Sequence, residues 1–350
     1  MEKLLVIAPR DQASPRLESV LAAALAGVDY DRRETLTEPV ANRPILFALA
    51  LGEDGVNLGA AALLRRLRSP GFTLEGCVGA IIADCGSELY TKSAAAELAF
   101  AANRAGCAFI GRPLVEGTGS LANFAVLARL GDTTLLEAYR RGARELVERL
   151  LRFDPPRLRR PRLLVLHASS HKTSNTMALW QAVCRRLGER AEIREVALRN
   201  GMLVDCSGCP YTMCLHFGER GECFYGGVVS REVYPALREA DAVVMLCPNY
   251  NDALSANLTA CINRMTALYR TVQFYDKAVY AIVVSGYSGG DTVARQLISA
   301  LCMNKTFYLP PRFALTETAN DAGTALRLPG IDGRLDDFAA AMARQLTGEG

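Results

Sequence analysis

No run of apolar residues in this chain approaches the roughly 18 that a membrane span requires. The start, Met1-Glu2-Lys3, leads into only five apolar residues before Pro9-Arg10-Asp11, too short a stretch for the core of a secretory signal. An excess of charge of one sign is missing too. The 40 lysines and arginines face 37 aspartates and glutamates, leaving +3, which offers little electrostatic attraction to nucleic acid or an acidic membrane. These absences predict a cytoplasmic protein that binds neither. No G-x-x-x-x-G-K-S/T occurs, which argues against a nucleotide triphosphatase. No G-x-G-x-x-G follows the strand expected at Leu163 to Leu166, which argues against a dinucleotide site there. No Ser-His-Asp or paired-carboxylate arrangement is visible, so no catalytic side chain is assigned.

Half of the 350 residues are apolar, too much for one average core and suited to two domains of ordinary size. A basic, proline-bearing segment, Phe153 to Pro161, breaks the pattern and reads as a linker. The expected domains are therefore 1–152 and 162–350. After the linker, short apolar runs at Leu163 to Leu166, Ile193 to Leu198, Ala242 to Leu246 and Val279 to Ser285 read as strands. Helical patterns at Met177 to Leu187, Arg231 to Glu239 and Leu254 to Leu268 alternate with them. Unbroken apolar strands alternating with amphipathic helices predict a parallel sheet covered on both faces. The first half has the same punctuation. Lys3 to Ala8 opens it as Arg162 to His167 opens the second, and Ile81 to Gly86 runs parallel to Val243 to Pro248, with Ser93-Ala94 and Ser255-Ala256 at one offset. A duplicated α/β domain explains this economically.

The segment His167 to Thr176 joins strand to helix and carries five hydroxyls, on Ser169, Ser170, Thr173, Ser174 and Thr176. Ligands in a parallel α/β sheet collect outside the carboxyl ends of the strands. A helix N-terminus there offers free N–H groups and a favourable dipole, and the hydroxyls add donors, so a phosphate monoester can be held with little formal charge. Capping the helix would need only one of them. The opening loop of the first half, Pro9 to Arg16, has one hydroxyl and two prolines and is poorly equipped for phosphate. Gly111 to Ser120 reads as a connecting loop.

At these residues the sequence resembles the NAD(P)H-dependent FMN reductases and iron–sulfur flavoproteins. Ser169 to Thr176, ending in Ser174-Asn175-Thr176, is similar to that family's FMN phosphate loop. Cys247-Pro248-Asn249-Tyr250-Asn251-Asp252-Ala253-Leu254-Ser255-Ala256 is similar to its second flavin loop, with Cys247 in place of the usual Ser and Asn251-Asp252 where an aromatic and Gly are common. Ser285-Gly286-Tyr287-Ser288-Gly289-Gly290 is similar to its Gly-rich loop after the next strand. The resemblance implies a flavodoxin-like, doubly wound parallel sheet, duplicated as a degenerate N-terminal copy and an FMN-binding C-terminal copy. It implies phosphate contacts from Ser169, Ser170, Thr173, Ser174, Asn175 and Thr176. Ring contacts would come from Pro248, Asn249, Tyr250, Asn251, Gly286, Tyr287 and Gly289, the glycines permitting close approach. It also allows a homodimer.

Of eleven cysteines, four fall close together: Cys206, Cys209, Cys214 and Cys223, spaced C-x2-C-x4-C-x8-C. The size of the chain and the lack of an export signal make thiols or metal ligands the expectation, rather than disulfides. A short loop with Gly and Pro aims several sulfurs at one place, suiting an iron–sulfur cluster. Structural zinc and a redox dithiol at Cys206 and Cys209 remain alternatives. The resemblance implies a [4Fe-4S] cluster, although the family's later cysteine gaps are shorter. The expected activity moves electrons from NAD(P)H or a protein donor through FMN to a small-molecule or protein acceptor. The alternatives are a flavodoxin-like electron carrier without enzymatic activity, and a zinc-stabilised binding module without flavin.

Overall fold

The computed structural model describes residues 3–169, 174–201 and 203–348. The chain divides into two compact units, Met1–Asp154 and Pro155–Gly350. In the first, the strands are β1 (Leu4–Ile7), β2 (Tyr30–Arg33), β3 (Pro44–Leu51), β4 (Val78–Cys85) and β5 (Ala108–Gly117). All pair in parallel, in the order β2-β1-β3-β4-β5. The helices are α1 (Pro15–Ala24), α2 (Leu58–Leu67), α3 (Thr91–Arg104), α4 (Ala125–Leu130) and α5 (Leu135–Leu151). Side chains on a strand point alternately to opposite faces. Leu4, Val6, Leu46, Ala48, Ala80 and Ile82 pack into one core with α1 and α5. The intervening Leu5, Ile7, Ile45, Phe47, Ile81 and Ala83 are equally buried. Both faces are covered, and for that reason these strands read as continuous apolar runs.

The second unit repeats the plan. Its strands are β6 (Arg162–His167), β7 (Glu192–Ala197), β8 (Ala242–Pro248), β9 (Ala278–Ser285) and β10 (Ala314–Thr318). They form a parallel sheet ordered β10-β9-β8-β6-β7. Its helices are α6 (Asn175–Leu187), α7 (Tyr211–Glu219), α8 (Tyr234–Glu239), α9 (Ala256–Tyr269), α10 (Gly290–Leu297) and α11 (Ile331–Thr347). Counted within each unit, both sheets have the order 2-1-3-4-5 of the flavodoxin-like doubly wound fold. The chain is a duplicated flavodoxin-like α/β protein. Among the described residues no helix is long and apolar enough to cross a membrane.

Two readings of the sequence are corrected. Ile81 to Gly86 belongs to β4, the fourth strand of its sheet, so its counterpart is β9; the partner of β8 is β3, Pro44–Leu51. Short buried strands have interchangeable compositions, and the gapless match had slipped by one strand. Gly111 to Gly117 is the second half of β5 rather than a connecting loop. The register shifts between Gly79 and Ile81 opposite it, and Arg112 takes a left-handed conformation at φ 52°, a bulge that masks the strand pattern.

Candidate functional site at the carboxyl edge of the second sheet

The order of strands reverses between β6 and β8, and their carboxyl ends define the crevice at which this fold takes ligands. Three loops end there, after β6, β8 and β9. In the first, Ser174 caps α6, its Oγ accepting from the Met177 backbone N–H at 3.3 Å. Its hydroxyl also lies 2.7 Å from Thr176 Oγ1, which is 3.4 Å from Ser169 Oγ. Three hydroxyls thus gather at the N-terminus of a 13-residue helix. Ser170, His171 and Thr173 lie outside the described residues. The Asn175 side chain is committed elsewhere. Its amide donates to the carbonyls of Ala319 and Asp321, at 3.3 and 2.8 Å, and its oxygen accepts from the Ala325 N–H. It ties down the segment after β10.

The second loop is a tight turn. Ala253 N–H donates to Tyr250 O, and Asn251 and Asp252 sit at φ 55° and 56°. Asn and Asp tolerate this left-handed region, so the pair that departs from the family pattern is suited to the backbone it must adopt. Asn249 ties this loop to the third. Its backbone N–H donates to Val284 O at 2.8 Å. Its Nδ2 lies 3.1 Å from Ser285 Oγ, 2.9 Å from Ser288 O and 3.2 Å from Asp252 Oδ1. Gln296 of α10 holds the far side, accepting from Leu254 N–H and donating to Asp252 O. In the third loop Gly289, at φ 84°, packs so closely that a Cβ would stand 2.0 Å from Asp252 Oδ1. Gly286 faces Asn320, from the segment after β10. Pro248 ends β8, while Tyr250 and Tyr287 are exposed, by 63% and 82%.

Two buried oxygens at this edge lack a hydrogen-bond partner: Asn249 Oδ1, and Ser255 Oγ at the start of α9. Buried polar atoms are paired as a rule, so both mark places prepared for another molecule. Asp252, Ser255 and Ser285 stood within the loops recognised in the sequence but without an assigned contact, and neither Gln296 nor the segment after β10 was singled out. The turn-forming Asn251-Asp252 pair was the one available signal for Asp252.

The four clustered cysteines line one cavity of about 150 Å³ between the loop before α7, α7 itself and the side of α9. Gly218 of α7 approaches α9 so closely that a Cβ would lie 2.3 Å from the Ala267 carbonyl. Aromatic rings of Phe217, Phe224 and Tyr225 wall the cavity, and Arg264 and Arg270 complete it. Among the described residues, no three His, Cys, Asp or Glu side chains converge as they would around one metal ion. Four cysteines on one cavity are the donor set that an iron–sulfur cluster takes.

The remaining thiols of the second unit differ. Burial pushes Cys247 far above the ordinary thiol range and Cys261 up to about 12, Arg264 partly opposing the latter. Iodoacetamide applied to native, metal-free protein is expected to label exposed Cys206 and the half-buried Cys209, Cys214 and Cys223. Cys247, Cys261 and Cys302 should react only after denaturation. Mass spectrometry of peptides reads this, and early labelling of Cys247 would contradict its burial.

The first unit offers a contrast at the equivalent place. Ser14 caps α1 as Ser174 caps α6, at the same remove from the preceding strand (Ile7 to Ser14, His167 to Ser174). Here, however, its hydroxyl donates to Asp84 Oδ1 at 2.8 Å. Arg16, placed as Thr176 is, binds Asp84 Oδ2 at 2.9 Å and the carbonyls of Cys85 and Gly119. Side chains fill the position, and the acids Asp11 and Glu18 line the adjoining crevice.

Residues 161–320, somewhat less than half of the chain, match the sequence model of the family described as NADPH-dependent FMN reductase. The match falls on the half that holds the three loops. No curated protein matches the chain. Many solved structures resemble part of it, RosB among them. RosB, in complex with the intermediate 8-demethyl-8-formylriboflavin-5'-phosphate, is 16% identical, with 53% of this chain and 78% of that one covered and a TM-score of 0.42. An azoreductase from Bacillus anthracis str. Sterne is 15% identical over 53% of this chain and 100% of its own, with a TM-score of 0.39. An NAD(P)H:quinone oxidoreductase from Methanothermobacter marburgensis is 14% identical, with coverages of 53% and 94% and a TM-score of 0.37. All three overlaps are loose.

Proposed function

We propose that the second unit binds FMN across the carboxyl ends of β6, β8 and β9, and that the protein is an NAD(P)H-dependent flavin oxidoreductase. The observation that carries this reading is the meeting of three loops at the switch point, with two buried oxygens left without a partner. Ser169, Ser174 and Thr176 would hold the phosphate with the N-terminus of α6, joined by Ser170 and Thr173. Asn175 shapes that pocket by fixing the segment after β10. Pro248, Asn249, Tyr250 and Asn251 would border one edge of the ring system, and Gly286, Tyr287 and Gly289 the other. The exposed rings of Tyr250 and Tyr287 give a flat substrate something to stack on. Bound flavin supplies both hydride and single-electron chemistry. The protein's part is to orient and to exclude water, which is why no acid–base residue is required.

The same reading assigns a [4Fe-4S] cluster to Cys206, Cys209, Cys214 and Cys223. Support comes from their shared cavity and from α9, which joins the two sites. Ser255 opens it at the flavin loops and Arg264 stands on the cavity wall, about 13 Å away at 1.5 Å per residue. Electrons delivered by NAD(P)H would leave singly through this route or pass directly to a small acceptor. The test is the visible spectrum of the purified chain after addition of FMN, followed by steady-state oxidation of NADH and NADPH. A yellow 1:1 complex that consumes either nucleotide supports the reading, and a colourless protein overturns it. A yellow protein that oxidises neither without a partner reductase is an electron carrier instead. Anaerobic preparation should give about four iron and four sulfide per chain; stoichiometric zinc would remove the cluster.

A further inference from the structure

Arg264 is a buried cation without a buried anion. The side chain is 1% exposed on the inner face of α9. Its Nη1 donates to Val204 O at 3.3 Å and its Nη2 to Gly226 O. Its Nε is buried with no partner. Two carbonyls solvate the group but do not neutralise it, and among the described residues no carboxylate forms an ion pair with it. The nearest acid in sequence, Asp205, accepts from Asn263 Nδ2 and from the Cys206 backbone N–H. Burying an unpaired charge is costly, so a fold that keeps one has a counter-charge to meet it. The cavity it lines contains no aspartate or glutamate. Apart from the Tyr225 phenol, the groups there able to carry negative charge are the four cysteines. Arg270 adds a second positive group on the same wall, its guanidinium 4.6 Å from the centre of the Tyr211 ring.

We infer that Arg264 is the counter-charge of the four-cysteine centre, positioning it and raising its reduction potential. The inference rests on the cluster reading above. Four thiolates give a [4Fe-4S] core a net negative charge, and one-electron reduction makes it more negative. A fixed cation on the cavity wall stabilises the reduced form more than the oxidised one, and net charge is one of the levers that set such potentials. The Nε left without a partner supplies a donor for a thiolate or core sulfur.

The full-length protein, reconstituted anaerobically with ferrous iron and sulfide, is titrated electrochemically with cluster reduction followed by electron paramagnetic resonance. Iron and sulfide are counted for each variant. Arg264→Met is expected to lower the reduced-to-oxidised ratio at a fixed potential at least tenfold, which for a one-electron couple is a fall of about 59 mV. Arg264→Lys, which keeps the charge, should stay within about threefold of the parent, or about 28 mV on the same scale. Iron retained by the lysine variant at near-parental potential but lost from the methionine variant supports the same role. Equal potentials for the parent and Arg264→Met overturn the inference while leaving the cluster in place. Loss of iron from both variants overturns it too, because the guanidinium would then be a packing element. A parent protein that takes up no iron overturns both the inference and the cluster reading.

Discussion

Arg16→Met should weaken the first unit by about 3–5 kcal/mol, the usual consequence of removing one partner of a buried ion pair. Asp84 is 5% exposed in its side chain, and among the described residues Arg16 is the cation paired with it. Without the guanidinium, Asp84 keeps the hydroxyls of Ser14 and Tyr139 but no cation, and the carbonyls of Cys85, Gly117 and Gly119 lose a shared donor. Tyr139 sits against the same carboxylate, which with burial pushes its hydroxyl well above the ordinary range. Denaturant titration reads the effect, because far-UV circular dichroism follows both units whereas the single tryptophan, Trp180, is buried in the second. The expected result is an earlier dichroism transition without an equal shift in tryptophan fluorescence. A change below about 1 kcal/mol, typical of a surface pair, would mean that Arg16 does not close the first unit's crevice.

This pair also explains what the sequence could and could not disclose. The poverty of hydroxyls in Pro9 to Arg16 was legible as weak equipment for phosphate. That Arg16 would turn inward was not, since an arginine after two prolines looks like any solvated loop charge. Arg264 was hidden for the same reason. The helical pattern from Leu254 to Leu268 runs past it, because a charge between apolar positions normally faces water. The central strands β1, β4, β6, β8 and β9 stood out, being buried on both faces. The edge strands β2 and β10 did not. In β2, Tyr30-Asp31-Arg32-Arg33 is mostly polar, and in β10 the carboxylate of Glu317 lies almost buried against Arg334, at 2.7 and 2.9 Å. Charged edge strands protect a sheet from pairing with others, and in doing so they erase the pattern by which a strand is recognised. The three loops were legible because loop composition after a parallel strand is constrained by chemistry. Their interlocking through Asn249, Asp252 and Gln296 depends on tertiary contacts that spacing does not encode.

That interlocking makes Gly289 the position where one added methyl group should matter most. At φ 84° an alanine carries about 1–2 kcal/mol of left-handed strain. Its Cβ would also stand 2.0 Å from Asp252 Oδ1 and 2.9 Å from Asn249 Nδ2. Neither neighbour can yield alone, since Asn249 spans Ser285 and Ser288 while Gln296 grips the Asp252 carbonyl. Gly289→Ala must therefore push the second and third loops apart at the place assigned to the flavin ring. The expected loss of FMN affinity is at least a hundredfold, or about 2.7 kcal/mol. Gly290→Ala is the control: one residue along, its Cβ would meet nothing nearer than Ser285 Oγ at 3.4 Å, and FMN should bind within about threefold of the parent. Adding Asp252→Ala to Gly289→Ala removes the closer clash but not the backbone strain, so part of the affinity should return. Fluorescence quenching titrations with FMN measure all three variants. Parental affinity in Gly289→Ala would place the ring away from these loops, and equal losses at Gly289 and Gly290 would point to general damage to α10 instead of contact with the flavin.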